Sequence, residues 1–198
     1  VGGGEACAEE RELARHVDVA SRELAEMRRE LGLWERAFEL ELLRSFTATA
    51  ERHGLRPGSL LLGGEIVAAD EKLAASLQTK LGEPVVTLRR LRLLDGEPVA
   101  IAEDWIVAAK VPDLLTLDWR SGNRSLYDEL RQRYGLVPEL GETILSSRLA
   151  DKTEARLLEL QRPAAVLTVE QVAYSRSGKP INATLSVHHP TRYPLVLA

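Results

Sequence analysis

Two arginines separated by one residue, Arg90 and Arg92, form the pattern in this sequence that is best suited to chemistry. They precede Asp95-Gly96, which predicts a two-residue hairpin turn because both residue types tolerate positive φ angles. Such a turn places Leu88 opposite Glu103. Because alternate residues of a strand share a face, Arg90, Arg92 and Glu103 are expected on one side of the sheet. Two adjacent guanidinium groups can bind a phosphate or carboxylate bidentately.

A simpler interpretation of the same pattern is a solvated sheet face with an ion pair between Arg90 and Glu103, which would contribute little stability. The rest of the sequence offers no nucleophile with a positioned base, no nucleotide-binding loop and no metal-ligand cluster. The single cysteine, Cys7, has no second cysteine for an internal disulfide or a zinc site. We therefore expect a binding protein without cofactor or metal, and not an enzyme.

The hydrophobic pattern and the turn signals predict an α+β fold. Strands are expected at 60–67, 85–94, 97–107, 143–149, 166–174 and 181–188, and short helices at 45–54, 70–81, 125–134 and 151–160. Tight turns between most of the strands imply an antiparallel sheet with flanking helices. No apolar run approaches the length of a membrane span, so we expect a cytoplasmic protein without membrane contact.

The excess negative charge lies entirely in the first 44 residues. They contain seven arginines, no lysine and eleven acidic residues, whereas the remaining chain has equal numbers of acidic and basic residues. This first segment has no proline and is rich in Ala, Leu, Glu and Arg, which favours helix. We predict a helical segment at 1–42, called the head below, and an α+β domain at 43–198.

A series of short motifs resembles the UTRA effector-binding domain of HutC-type GntR transcription regulators. The resemblance implies a chorismate-lyase-like α+β fold that senses a small metabolite without catalysis, and a homodimer. In order, the motifs are Leu43-Arg-Ser-Phe-Thr47, His53-Gly-Leu-Arg-Pro-Gly58, Ala69-Asp-Glu-Lys-Leu-Ala74, Arg90-Leu-Arg92, Asp95-Gly-Glu-Pro-Val-Ala100, Ser125-Leu-Tyr127, Tyr134-Gly135 and Gly178-Lys-Pro-Ile181.

The resemblance also implies which residues contact the effector. In related sensors of phosphosugars, the matching Arg-x-Arg and Ser-x-Tyr motifs hold the anionic group, which implicates Arg90, Arg92 and the pair Ser125 and Tyr127. The backbone at the matching helix start also contributes, which adds Phe46 and Thr47, since a helix N-terminus offers unpaired N–H groups. Ser125 is equally suited to be an N-cap paired with Asp128.

The opposite end of the expected pocket departs from the phosphosugar pattern. The phosphosugar sensors resemble one another in having an acidic residue at the position that Asn182 occupies here. They also have tyrosines at the positions of His188 and His189. Successive strand residues face opposite ways, so alternation from Asn182 selects His188 for the pocket. The same alternation argues against a metal site formed by both histidines. The sequence therefore predicts a retained anion site with altered specificity.

The head resembles, over residues 10–33, the second and third helices of the GntR winged helix-turn-helix. Ser21 and Arg22 are nearest to the Ser-Arg pair that opens its recognition helix, displaced by one residue, and we find no counterpart of the first helix or the basic wing. The leading hypothesis is a ligand-responsive DNA-binding repressor that binds operator DNA through the head. A net charge of −4 opposes DNA binding, so the alternative is a stand-alone sensor whose head serves dimerisation.

Overall fold

The computed structural model describes residues 38–39, 45–120, 124–193 and 195–196. Two short strands, β1 (Phe38–Glu39) and β8 (Leu195–Val196), pair in parallel. The predicted DNA contacts Ser21 and Arg22 lie outside the described residues, as does the predicted boundary between residues 42 and 43. Both therefore stay predictions.

The described domain is built on a six-stranded antiparallel sheet, which confirms the predicted α+β class. The strands are β2 (Pro57–Ala68), β3 (Pro84–Leu94), β4 (Glu97–Val107), β5 (Leu140–Leu149), β6 (Ala165–Tyr174) and β7 (Pro180–His188). Their order in the sheet is β2-β3-β4-β7-β6-β5. The helices are α1 (Phe46–Arg52), α2 (Glu71–Ser76), α3 (Leu126–Tyr134) and α4 (Lys152–Leu157), with 3-10 turns at Ala108–Lys110 and Leu114–Thr116.

Each α-helix begins at a residue whose side chain caps its first turn. Ser45, Asp70, Ser125 and Asp151 each accept a hydrogen bond from the backbone N–H three residues later. The helices α2 and α4 end earlier than the sequence predicts. Two residues soon after their last turns, Gln78 and Glu159, have φ angles of 47° and 56°, which a right-handed helix does not allow.

The two faces of the sheet are distinguished by alternate residues of β3. The side that carries Val85 and Leu91 is called the packed face. It is covered by α2 and α4, whose C-cap residues Leu77 and Leu158 pack against it. We call pocket face the side of Leu88, which is covered by α3 and the 3-10 turns. Arg90 and Arg92 lie on the pocket face because they alternate with Leu88.

A β-bulge in the hairpin between β3 and β4 changes the predicted pairing. Leu93 pairs with Pro98 as expected, but Arg92 then pairs with Ala100, so one extra residue of β4 is unpaired. Every later residue of β4 therefore lies on the face opposite to the one that the predicted pairing gives it. The prediction that Glu103 shares a face with the two arginines is wrong, because Glu103 lies opposite Arg89 on the packed face.

Candidate functional site

A cavity of about 160 Å³ opens on the pocket face between the sheet, α1 and α3. Its charged side chains come from β3 and β4, and β7 contributes hydroxyl and imidazole groups. Phe46 and Leu126 belong to the helices at its walls. The principal polar lining residues are Arg90, Arg92, Asp104, Tyr127, Thr184 and His188.

Asp104 is the carboxylate that faces the two arginines. Its Oδ2 accepts a hydrogen bond from Nη2 of Arg90 at 2.7 Å, and the side chains of both residues are only 5–6% exposed. Its Oδ1 accepts from the Thr184 hydroxyl at 2.8 Å and from the Asn182 amide at 3.4 Å. The Arg90 guanidinium also lies over the Trp119 ring, 5.4 Å from its centroid. Arg90 is thus neutralised and held rigidly.

Arg92 has a different environment, although it is equally buried. Its hydrogen bonds go to two hydroxyls, Ser59 Oγ at 3.1 Å and Thr47 Oγ1 at 3.5 Å, and it lies 4.3 Å from the centroid of the Phe46 ring. Burial, together with the charge of Arg90, lowers the pKa of Arg92 to about 9. Arg92 still carries its charge at neutral pH, but hydroxyls cannot balance it.

Tyr127 and Ser125, from the predicted Ser-x-Tyr motif, have separate roles in the structure. Tyr127 lines the cavity and donates a hydrogen bond to Gln171 Oε1 at 3.3 Å, and burial raises its pKa. The Ser125 hydroxyl instead accepts from the backbone N–H of Asp128 at 3.3 Å and caps α3. The structure thus shows the N-cap interpretation that the sequence left open. An effector contact by Ser125 stays a prediction.

His188, on β7, lines the cavity two strands away from Arg92, since both residues pair with Ala100 of β4. Its Nε2 lies 2.7 Å from the Ser186 hydroxyl, and its ring centroid lies 5.1 Å from that of Tyr193. Burial lowers the pKa of His188 to about 4, so the ring is neutral at physiological pH. The ring of His189 lies outside the cavity lining and caps a turn by accepting from the backbone N–H of Arg192. The structure thus has His188, and not His189, in the cavity lining, and an effector contact by His188 stays a prediction.

The other predicted site residues surround the cavity at different depths. Phe46 lines the cavity. The Thr47 hydroxyl accepts a hydrogen bond from Arg92, and the Asn182 amide donates one to Asp104. Several further lining residues were not predicted, among them the polar residues Asp104, Gln171, Thr184 and Tyr193. The alternation that selected His188 would also have selected Thr184, which lies four residues earlier on the same strand.

The described residues form neither a metal-ligand cluster nor a membrane-spanning helix. No group of three or more His, Cys, Asp or Glu side chains within the described part of the chain could hold a metal ion. No helix in that same part is long and apolar enough to cross a membrane.

Comparison with known proteins gives matches over most of the chain. The UTRA domain model matches residues 52–194. The HTH-type transcriptional regulator GgaR of Escherichia coli K12 is 28% identical over 149 residues, which are 75% of this chain and 58% of that protein. The HTH-type transcriptional repressor NagR of Bacillus subtilis is 29% identical over 158 residues, which are 79% of this chain and 63% of that protein. The chain thus spans less than two thirds of the length of these two relatives.

A solved structure is similar over nearly its whole length. The effector domain of PhnF from Mycobacterium smegmatis superposes with a TM-score of 0.75 at 27% identity, covering 82% of this chain and 98% of that domain. The relatives named here are transcriptional regulators and not enzymes, as the motifs predict. Because the family model matches well over half of the residues, the chain belongs to the UTRA domain family, the effector-binding domain of GntR-type transcriptional regulators.

Proposed function

We propose that this chain is the sensing part of a transcriptional repressor that releases operator DNA when a small anionic metabolite enters the cavity. The relatives GgaR and NagR are named as an HTH-type regulator and an HTH-type repressor, which supports this class of function. In the proposed mechanism the protein acts in the cytoplasm as a homodimer, and the head at residues 1–42 supplies the DNA contacts.

The observation that carries the proposal is that Asp104 pairs directly with Arg90, while the hydrogen bonds of Arg92 to the described residues go to hydroxyls and to no carboxylate. A buried cation without a counter-ion is costly, because its interactions with water are lost and hydroxyl groups replace them only in part. An anion entering the cavity would supply the missing negative charge. It would also find Arg90 already oriented by Asp104.

The contacts of Arg92 also provide a route for the signal. Thr47 and Phe46, which touch its guanidinium, lie in the first turn of α1. This helix directly follows the head in the sequence. An anion that draws Arg92 toward the cavity would change these contacts and shift the population of α1 positions. A dimer in the shifted state would present its heads at a spacing that no longer matches the operator half-sites.

The anion site is tested by thermal unfolding of three proteins with inorganic phosphate and with benzoate. Arg92→Gln removes the unbalanced charge. Arg89→Gln is the matched control, because Arg89 is the neighbouring arginine of β3 but lies on the packed face near Glu103. A ligand at 100 times its Kd stabilises by about 2.7 kcal/mol. We expect this stabilisation in the wild type and in Arg89→Gln, and its loss in Arg92→Gln. An unchanged response in Arg92→Gln would contradict the site.

DNA binding is tested by fluorescence anisotropy with the DNA upstream of the protein's own gene, at several salt concentrations. Specific binding that weakens with salt and with added effector supports the repressor. The net charge of −4 on the first 44 residues favours a second function, a sensor that binds no DNA. Absence of specific binding at low salt would select that second function.

A further inference from the structure

We propose that the effector is a small carboxylate with a flat, largely apolar ring, and not a phosphorylated sugar. This inference rests on the proposed function, since it names the chemical class of the anion that the cavity would sense. Three properties of the cavity support it: its net charge, the balance of its hydrogen-bonding groups and the shape of its walls.

The charged side chains that line the cavity, within the part of the chain that the structure describes, sum to a single positive charge. Arg90 and Asp104 cancel at 2.7 Å, which leaves Arg92. The remaining titratable lining groups are neutral at pH 7, since burial keeps their protons on the phenols and off the imidazole: Tyr127, Tyr193 and His188. A carboxylate balances one positive charge. A phosphate monoester carries about −1.5 to −2 at this pH and would leave an excess negative charge in a buried site.

Among the unpartnered buried groups at the cavity, donors outnumber acceptors. Four buried atoms of its lining side chains have no partner among the described residues: Nε and Nη1 of Arg90, Nε of Arg92 and Nδ1 of His188. The first three can only donate. Oδ1 of Asn182, beside Asp104, is an unpartnered acceptor, whereas both oxygens of Asp104 already accept hydrogen bonds and Gln171 Oε1 accepts from Tyr127. A carboxylate needs donors alone, whereas each of the several hydroxyls of a sugar also needs an acceptor, so a sugar would leave more of its groups unsatisfied.

The walls of the cavity suit a flat ring. Phe46 and Tyr193 stack with centroids 5.8 Å apart, and Tyr193 continues the aromatic row to His188 at 5.1 Å. The sheet contributes small apolar side chains, Ala100 and Ala102. A volume of about 160 Å³ is also below the roughly 300–1000 Å³ of pockets for drug-sized ligands. A single ring with one carboxylate is of a size that this volume can hold.

The test uses four probes that combine two anionic groups, a carboxylate or a phosphate, with two ring types, a phenyl ring or a sugar. Their binding to the 198-residue chain is measured by isothermal titration calorimetry at pH 7.5. The probes are benzoate, phenyl phosphate, glucuronate and glucose 6-phosphate. We expect benzoate to bind about tenfold or more tightly than phenyl phosphate, which has the same ring. We also expect benzoate to bind tenfold or more tightly than glucuronate, which has the same carboxylate. Glucose 6-phosphate is expected to bind most weakly.

A second measurement on the wild type separates charge from size. The second proton of a phosphate monoester has a pKa of about 6, so at pH 5.5 phenyl phosphate is mostly a monoanion. Its affinity should then rise toward that of benzoate, which stays ionised. The groups facing the anion are the two arginines, Asp104, His188 and the two tyrosines, and His188 remains neutral because its pKa is about 4.

Each outcome decides between the two proposals. Tighter binding of either phosphate ester than of its matched carboxylate at pH 7.5 would overturn the carboxylate class, and so would the absence of benzoate binding. If Arg92→Gln loses binding of every probe while Arg89→Gln keeps it, the anion site stands even when the class is wrong. If the bound probes are indifferent to Arg92→Gln, the proposed function itself fails.

Discussion

The two faces of the six-stranded sheet bury different kinds of side chain. On the packed face, leucine, valine and alanine side chains of the sheet meet Leu77 and Leu158, the fully buried residues that directly follow α2 and α4. On the pocket face, the same strands bury two arginines and an aspartate beside an open cavity. The packed face therefore contributes mainly stability, whereas the pocket face keeps buried polar atoms that have no partner among the described residues.

Strand β3 shows the contrast at neighbouring residues. Arg89 is directed to the packed side, where its side chain is 40% exposed and its Nε lies 4.0 Å from Glu103. Arg90 and Arg92 are almost fully buried on the other side. Burial thus separates an arginine that water can solvate from two that need partners within the protein or a ligand.

The largest effect is expected from removing the negative charge of the pocket face. Asp104→Asn leaves Arg90 and Arg92 as two buried cations without a carboxylate, and breaking such a pair costs about 3–5 kcal/mol. Urea unfolding measures the loss. Added phosphate should restore more stability in this variant than in the wild type, because the cavity then carries two positive charges.

Glu103→Gln is the matched control for this prediction. Glu103 is the adjacent acidic residue, but its side chain is 33% exposed on the packed face. Its change should cost less than about 0.5 kcal/mol, as for most exposed positions. Equal losses in the two variants would break the distinction between the faces.

The sequence predicted most of the sheet correctly because the turns and alternating patterns are local signals. Asp95-Gly96 predicted the hairpin, and the observed bounds of β4 are those expected. The bulge at Val99 was not predicted, although Pro98 is a signal for it, because proline cannot donate a ladder hydrogen bond and is found in central strands mainly at bulges. Because of that one unpaired residue, Asp104 lies on the face of the two arginines, where the predicted pairing had placed Glu103.

The missed parts of the site depend on contacts between distant segments. Gln171 and Tyr193 reach the cavity from β6 and from the segment after β7, and neither was predicted as a site residue. The early ends of α2 and α4 had no sequence signal either. Gln78 and Glu159 adopt left-handed backbone angles that glycine or asparagine would normally indicate.

The next largest effect is expected on the packed face. Leu158→Ala removes a fully buried side chain between α4 and the sheet, and such changes cost about 2–5 kcal/mol. The Kd for benzoate should be the same in the folded variant as in the wild type, because Leu158 belongs to the hydrophobic cluster of Leu91 and Val187 on the packed face. Urea unfolding and calorimetry measure the two properties. Arg156→Ala, an exposed change in the same helix, is the control, and a weakened benzoate affinity in Leu158→Ala would show that the faces are coupled.

The smallest of the three effects is the loss of stability on mild acidification, which we assign to the pocket face. The pKa of His188 falls from 6.5 to about 4 on folding because the ring is buried. Between these values the unfolded chain binds a proton that the folded protein does not, so the free energy of unfolding falls as the pH falls. Each pH unit across this window corresponds to about 1.4 kcal/mol. The stability is fully present above pH 6.5, and a loss of up to about 3 kcal/mol is expected near pH 4.

His188→Phe keeps the ring contact with Tyr193 and removes the titration, so the slope of stability against pH between 6.5 and 4 should decrease. It should not vanish, because burial also lowers the pKa of His189. On the packed side, the hydrogen bonds from Arg148 lower the pKa of Glu154, so its contribution is lost only as the pH falls below the ordinary value of 4.5. The pocket face should thus lose stability first on acidification. An unchanged slope in His188→Phe, measured by urea unfolding at several pH values with the exposed His53→Gln as control, would assign the acid sensitivity to another group.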